Sequence, residues 1–385
     1  MNKLIRITTA PISLDKLIEG QLAFMKRNYE VIGISAGGGL LASVGKREGI
    51  RVIPIEMTRK ITPLKDVKAV WELYKLFKKE KPFIIHSHTP KAGIVAMLAA
   101  KFARVPIRLH TVAGLPLMEA KGVKRKILNA VERLTYACAT KVYPNSFGLK
   151  EIILANKFTK VSKLKVIANG SSNGIDTSHF NPEVYSASEN QTLKKKTGIQ
   201  PNDFVFAFVG RLVGDKGINE LVEAFSALSE KNKGVKLLLV GSYEAELDPL
   251  KADTLRAITN NKQIISVGYQ QDVRPYFTIS DVFVFPSYRE GFPNVVMQAG
   301  AMGLPSIVSD INGCNEIIEH KKNGLIISVK DTDELFDAMS LLLINTDLMS
   351  DLKKNAIKMI SSRYEQKIVW DALLIEYRKK ISHVQ

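Results

Sequence analysis

Along the whole chain, short runs of β-branched and other apolar residues alternate with longer stretches in which apolar positions recur every three or four residues. The first pattern reads as strand, the second as helix. In the first half, Leu4–Ile7, Val31–Ser35, Arg51–Ile55, Phe83–His86, Ile107–Thr111, Lys141–Tyr143 and Lys165–Ala168 predict strands, with helical patterns such as Val67–Glu80, Gly93–Ala103 and Lys124–Cys138 between them. In the second half, Phe204–Val209, Lys236–Val240, Ile264–Val267, Asp281–Phe285, Ser306–Val308 and Gly324–Val329 predict strands, again separated by helices. Strand, helix and strand in repetition build parallel sheets covered on both faces, so the pattern predicts an α/β protein of two doubly wound parallel-sheet domains.

The densest cluster of turn formers, Asn169–Ser186, marks the boundary. Residues 1–172 and 173–362 are the expected domains, and residues 363–385 a terminal helix crossing back to the first. Ligands bind beyond the carboxyl ends of strands in open α/β sheets, so two such domains facing each other are expected to enclose a deep functional cleft.

The 385 residues carry 55 Lys and Arg against 38 Asp and Glu, a formal net charge of +17. Residues 1–180 hold 31 basic and 12 acidic side chains, a net of +19, and the remainder holds 24 and 26, a net of −2. A basic half asks for an anionic partner, either nucleic acid or an anionic membrane surface. The apolar stretches reach about seven residues, far short of the ~20 of a membrane span, so any membrane contact is expected to be peripheral. Cys138 and Cys314 lie far apart without metal-ligand spacing, which fits a reducing cytoplasm. Arg6, Asp15, Lys16 and Glu19 interrupt any signal-peptide core.

Two segments carry candidate chemistry. In Val209–Gly217 a glycine-bearing loop follows a strand and opens a helix, with Arg211 and Lys216 five residues apart. Two cations beside a helix N-terminus are placed to hold a diphosphate, and the alternative is a surface loop with two solvated cations. In Phe285–Pro305 a strand ends, an irregular loop carries Glu290, and Pro293 stands at the start of a helix whose first amides form a second anion site. Glu290 can accept hydrogen bonds from sugar hydroxyls, or it is simply an anion near a helix N-terminus.

Arg211 and Lys216 in a Gly-Arg-x(4)-Lys-Gly setting, followed about eighty residues later by Glu290-Gly291-Phe292-Pro293-Asn294-Val295 and Gly303-Leu304-Pro305, resemble the donor domain of retaining GT-B glycosyltransferases of family 4. His86–Gly93, Leu109–Gly114 and Ser309–Glu316 are similar to bacterial capsule and O-antigen members. The resemblance implies a GT-B fold of two Rossmann-like domains. It also implies donor-binding roles for Gly210, Arg211, Lys216, Tyr269, Glu290, Gly291, Phe292, Pro293, Asn294, Val295 and Gln298. Of these, Arg211 and Lys216 would neutralise the diphosphate, Glu290 would bind sugar hydroxyls, and Tyr269 would lie beside the base. Gln298 stands where the family has a second glutamate on the ribose, and its amide still accepts one hydrogen bond and donates others, so the ribose contact survives. Ser13, His88, Lys91 and His110 fall on the acceptor side, and His110, Arg211, Lys216 and Glu290 are the implied catalytic set. The alternative for His110 is a satisfied core histidine. His86 and His88 are expected to face opposite ways, with His88 and Lys91 at the strand mouth.

The implied function is retaining transfer of a hexose from a nucleotide sugar, a UDP-sugar by preference, to a lipid-diphosphate-linked saccharide of capsule or O-antigen. It needs no cofactor or metal. Asp331-Thr332-Asp333 spells the Asp-x-Asp of metal-dependent transferases but is explained as a helix N-cap. A GT-B-shaped nucleotide-sugar epimerase is the alternative, although it would want several carboxylates around the sugar and only Glu290 is evident. Nucleic acid is set aside for want of a recognised module. The basic half then fits the anionic inner face of the cytoplasmic membrane. Lys121, Lys124, Arg125, Lys126 and Arg133 share a helical stretch with apolar Val123, Ile127, Leu128, Val131, Leu134 and Tyr136, and Lys75, Lys78, Lys79 and Lys81 form a second cluster. Each cation near an anionic surface contributes ~1 kcal/mol, and the alternative is a solvated outer face on an ordinary core helix.

Overall fold

The structure, a computed structural model, describes residues 1–58, 62–244 and 248–384. It divides into two units, Met1–Gly174 with Gln366 onward, and Ile175–Glu365.

The first unit is built on β1 (Lys3–Ile7), β2 (Glu30–Ser35), β3 (Arg51–Pro54), β4 (Ile84–His88), β5 (Ile107–Val112) and β6 (Lys141–Pro144), all parallel in the order β3-β2-β1-β4-β5-β6. Ile5, Ile7, Ile32, Ile34 and Ile85 pack under helices Pro63–Glu80 and Pro90–Phe102, while Leu4, Val31, Ile84, Ile107 and Leu109 pack with Leu14, Leu22, Leu373 and Tyr377 on the opposite face. Both faces are covered, which is why these strands are apolar at successive positions.

Helix Gln366–Ser382 belongs to this unit. Helix Thr346–Tyr364 ends at Glu365, whose extended backbone (φ −53°, ψ 138°) breaks the helical run before Gln366. Trp370 lies 5.4 Å from Phe24 between ring centroids and donates from Nε1 to Asn173 Oδ1 at 2.8 Å.

The second unit repeats the winding with β7 (Phe204–Val209), β8 (Val235–Val240), β9 (Ile264–Ser266), β10 (Val282–Phe285), β11 (Ser306–Ser309) and β12 (Gly324–Ile327). The order is β12-β11-β10-β7-β8-β9, again parallel throughout. In each sheet the order reverses beside the first strand, between β1 and β4 and between β7 and β10. Such a reversal leaves a crevice beyond the strand ends where ligands bind.

One expected strand fails, and one helix faces outward with apolar residues. Lys165–Ala168 forms no strand: the short helical turn Val161–Lys163 leads to a single bridge, Val142 with Leu164, and then Ala168 (φ +48°) and Gly170 (φ +101°) turn the chain away. In helix Gly122–Cys138 the apolar positions do not share a buried face. Tyr136 is buried with Glu132 and Thr135, whereas Val123, Ile127 and Leu134 are exposed. They lie about 180° from Glu132 at the ~100° per residue of an α-helix, so this part of the apolar stripe points outward.

Candidate active site

The loops after β7 and β10 meet at the switch point of the second unit. Gly217 has φ +69°, and a Cβ there would stand 2.1 Å from the Pro286 carbonyl oxygen, so only glycine lets the two loops approach this closely. Lys216 and Glu290 form an ion pair through Nζ and Oε1, both partly buried. Ser287 Oγ lies 3.2 Å from the same carboxylate oxygen and 3.5 Å from Lys216 Nζ. The Lys216 ammonium also sits 5.7 Å from the centroid of the Phe285 ring.

Arg211 donates from Nη1 to Glu244 Oε2 at 2.9 Å. Partial burial pulls its guanidinium pKa down, but the Glu244, Asp215 and Glu290 carboxylates outweigh that and leave it raised. Arg211 therefore lies within the field of the Lys216–Glu290 pair. Asp215 pairs with Arg289 at 2.9 Å, and its backbone N–H donates to Asp248 Oδ2 at 2.5 Å. Each cation here has a carboxylate partner close by.

The loop 286–293 is braced from the segment that follows β11. Asn312 Nδ2 donates to the Glu290 carbonyl, and to that of Gly291 at 3.2 Å. Helix Asn294–Ala301 follows with Pro293 as its N-cap, and its first turn leaves the Asn294 and Val295 amides without intrahelical partners. Pro293 has no N–H, so it shapes this helix start without donating from it. Phe292 is buried against Tyr364 at 5.4 Å. Gln298 is half-buried on the same helix, Tyr269 is exposed, and Gly210 (φ +154°) donates its N–H to the Val240 carbonyl at 3.0 Å. Sequence reading missed Ser287, Asn312 and Asp215 as parts of this cluster. The Asn312-Gly313 pair just after β11 was the available signal.

The first unit's polar cluster has another character. His110 on β5 is 2% exposed, and its Nδ1 lies 2.9 Å from Ser87 Oγ. Burial pushes its pKa down to about 4, so the ring is neutral near pH 7. Gly93 makes room for it: a Cβ there would lie 2.5 Å from His110 Cε1.

His86 and His88 do not face opposite ways. Residues two apart on a strand share a face, and the two rings stack at 4.3 Å. His88 is also not at an open mouth. It is buried, and Nε2 accepts from Arg6 Nε at 3.1 Å, while Arg6 Nη2 reaches Gln21 Oε1 at 2.5 Å. His86 contacts Tyr377 Oη at 2.5 Å and Thr111 Oγ1 at 2.7 Å. Burial, and then the Arg6 charge and the neighbouring histidines, hold both pKa values well below the usual value. Lys91 is paired with Asp66 at 2.5 Å, and Ser13 is half-buried on helix Pro11–Leu17.

No group of three His, Cys, Asp or Glu side chains suited to a metal occurs among the described residues, and no described helix is long and apolar enough to cross a membrane. The Asp331 carboxylate caps helix Thr332–Ile344, accepting from the Glu334 N–H at 2.8 Å.

Two Rossmann-like sheets of this order, with a cation-bearing loop after the first strand of the second and a glutamate loop after its fourth, define the GT-B class of glycosyltransferase. Residues 189–359 match the family model "Glycosyl transferases group 1", and residues 23–170 match "Glycosyl transferase 4-like domain". The chain is 34% identical over 372 residues to the capsular polysaccharide biosynthesis glycosyltransferase CapM of Staphylococcus aureus, covering 96% of this chain and 95% of the relative. It is 32% identical over 286 residues, 74% of this chain and 72% of the relative, to the Escherichia coli UDP-Gal:alpha-D-GlcNAc-diphosphoundecaprenol alpha-1,3-galactosyltransferase. The crystal structure of Anabaena HepE in complex with UDP superimposes with a TM-score of 0.79 at 19% identity, covering 98% of this chain and 100% of that one. The protein belongs to the group 1 glycosyltransferases, family 4, and is a glycosyltransferase. The epimerase alternative gains no support from these relatives.

Proposed function

We propose that the protein transfers a hexose, with retention, from a UDP-sugar to a lipid-diphosphate-linked saccharide in the assembly of a bacterial surface polysaccharide. The observation that carries this reading is the Lys216–Ser287–Glu290 cluster, held by two close loops at the switch point of the second unit. Lys216 and Arg211 receive the donor diphosphate, displacing carboxylates that already hold them in place, and Glu290, released from Lys216, accepts from sugar hydroxyls. The Asn294 and Val295 amides add neutral donors at a helix N-terminus. The UDP named in the E. coli relative and bound in the Anabaena structure supports uridine as the base, with Gln298 at the ribose and Tyr269 beside the base.

The bond from the sugar C1 to the diphosphate oxygen breaks while the acceptor hydroxyl adds on the same face. The hydroxyl proton passes to the leaving diphosphate, whose charge the two cations and the amides stabilise in place of a metal ion. Glu290, released from Lys216 and held near Ser287, is a ligand of the sugar hydroxyls in this scheme and not a nucleophile. His110, neutral and fixed by Ser87, serves the acceptor side as an uncharged hydrogen-bond partner. His88 supports the strand ends from within the core, and Lys91 reaches acceptor phosphate only by leaving Asp66.

The lipid-linked acceptor named for the E. coli relative agrees with the charge of the first unit. That unit carries 35 basic against 13 acidic residues, a net of +22, and the second carries 20 against 25, a net of −5. The protein works at the inner face of the cytoplasmic membrane through this basic unit. Purified protein given a panel of UDP- and GDP-sugars with lipid-diphosphate saccharides should form an α-linked product from an α-linked donor in the presence of EDTA. Loss of activity with EDTA would remove metal independence, and a new epimer without acceptor would mean an isomerase.

A further inference from the structure

Helix Pro63–Glu80 buries Ala69, Leu73 and Phe77 against the first unit's core. At about 100° per residue, Leu64, Val67, Lys68, Trp71, Lys75 and Lys78 fall within an arc of about 100° on the opposite side. Leu64 is 88% exposed, Val67 69% and Trp71 56%. An isolated exposed apolar residue needs no explanation, but three along one stripe of a lysine-rich helix do. The stripe is also ordered: Tyr74 stacks on Trp71 at 5.5 Å, and Lys75 Nζ stands 5.1 Å from the Trp71 ring centroid. The three acids on this helix are engaged, Asp66 by Lys91, Glu80 by Lys3 and Arg51, and Glu72 by Lys68 at 3.8 Å, so the outer face keeps an excess of cations. Helix Pro90–Phe102 packs beside this helix, and beyond it helix Gly122–Cys138 exposes Val123, Ile127 and Leu134, a second outward apolar stripe in the same layer.

We infer that Leu64, Val67 and Trp71 insert into the boundary between headgroups and acyl chains of an anionic bilayer, with Lys68, Lys75 and Lys78 resting on the lipid phosphates beside them. The inference rests on the membrane association proposed above and specifies its contact. A net charge of +22 on the unit, lysines interleaved with the apolar stripe, and a tryptophan at its centre are the chemistry of a helix lying in the membrane interface. Electrostatic docking alone would have no use for Leu64 or Val67, and salt would abolish it.

The test is flotation of the full chain with vesicles of equimolar phosphatidylcholine and phosphatidylglycerol, read together with tryptophan emission. The Trp71 contribution is isolated as wild type minus Trp71→Phe. Its emission should shift to the blue and be quenched by brominated phosphatidylcholine. A Leu64→Glu/Val67→Glu variant, with unchanged circular dichroism and melting temperature because both side chains are exposed, should float several-fold less, and most clearly in high salt. Flotation with unmoved Trp71 emission and no deficit in the variant would overturn the insertion and leave membrane association standing. Absence of wild-type flotation would overturn both. A lipid-independent dimer dissolved by the same variant would make the stripe a protein interface and overturn the inference as well.

Discussion

In the unit Ile175–Glu365 the polar cluster is charged, partly open and balanced pair by pair: Lys216 by Glu290, Arg211 by Glu244, Arg289 by Asp215. In the unit Met1–Gly174 the histidines around β4 and β5 are buried beside Arg6 and held neutral, with His86, His88 and His110 all depressed in pKa by burial. Net charge runs the opposite way, −5 for the unit with the charged cluster and +22 for the unit with the neutral one. Net charge thus describes the outer surface that a partner meets, whereas site chemistry follows local pairing and burial. A cation paired with a carboxylate is pre-positioned for a phosphate that can exchange for that carboxylate. A buried imidazole offers only a directed hydrogen bond.

The contrast breaks most visibly at Lys216. Lys216→Ala should lower sugar transfer by about 10²- to 10³-fold, the scale for removing one group that stabilises developing charge. Arg should restore it only in part, measured as kcat with a saturating donor.

In the neutral cluster the expected effect is on stability. The folded pKa of His110 is about 4 against 6.5 for the free side chain, so below pH 6.5 the unfolded chain binds a proton that the folded chain refuses. Stability is full above about pH 6.5 and falls as pH drops toward 4, by roughly 3 kcal/mol for this residue at ~1.4 kcal/mol per pKa unit. His86 and His88 add in the same direction. Melting temperatures between pH 7.5 and 4.5 check this, with His110→Gln flattening the slope.

Smaller effects sharpen the same contrast. Gly93→Ala places a methyl 2.5 Å from His110 Cε1 and should cost about 1–3 kcal/mol of the unit's stability. Ser87→Ala leaves His110 Nδ1 without its 2.9 Å partner and should cost about 1 kcal/mol. Its NMR signature would be a changed His110 tautomer. Gln298→Glu should alter uridine affinity several-fold at most, read by calorimetry.

Much of the fold was legible because a strand covered on both faces must be apolar at successive positions, and twelve such runs became the twelve strands of the two sheets. The thirteenth, Lys165–Ala168, failed because Val166 and Ile167 are apolar for burial without a ladder, which hydrophobicity alone does not distinguish. The direction of the stripe on helix Gly122–Cys138 was not legible, for the related reason that helical periodicity identifies a face without saying which way it points. In the candidate site, Lys216 and Glu290 were readable as separate motifs. That they pair with each other was not, because 74 residues separate them and only the close approach at Gly217 joins their loops. The stacking of His86 on His88 followed from strand geometry and was misread.

The most direct measurement is calorimetric titration of UDP and UMP into the wild type, Arg211→Ala and Lys216→Ala. If the two cations hold the diphosphate, the wild type should prefer UDP over UMP strongly, and each variant should lose most of that preference while UMP affinity stays nearly unchanged. Undiminished preference for UDP in both variants would contradict the assignment and place the diphosphate elsewhere.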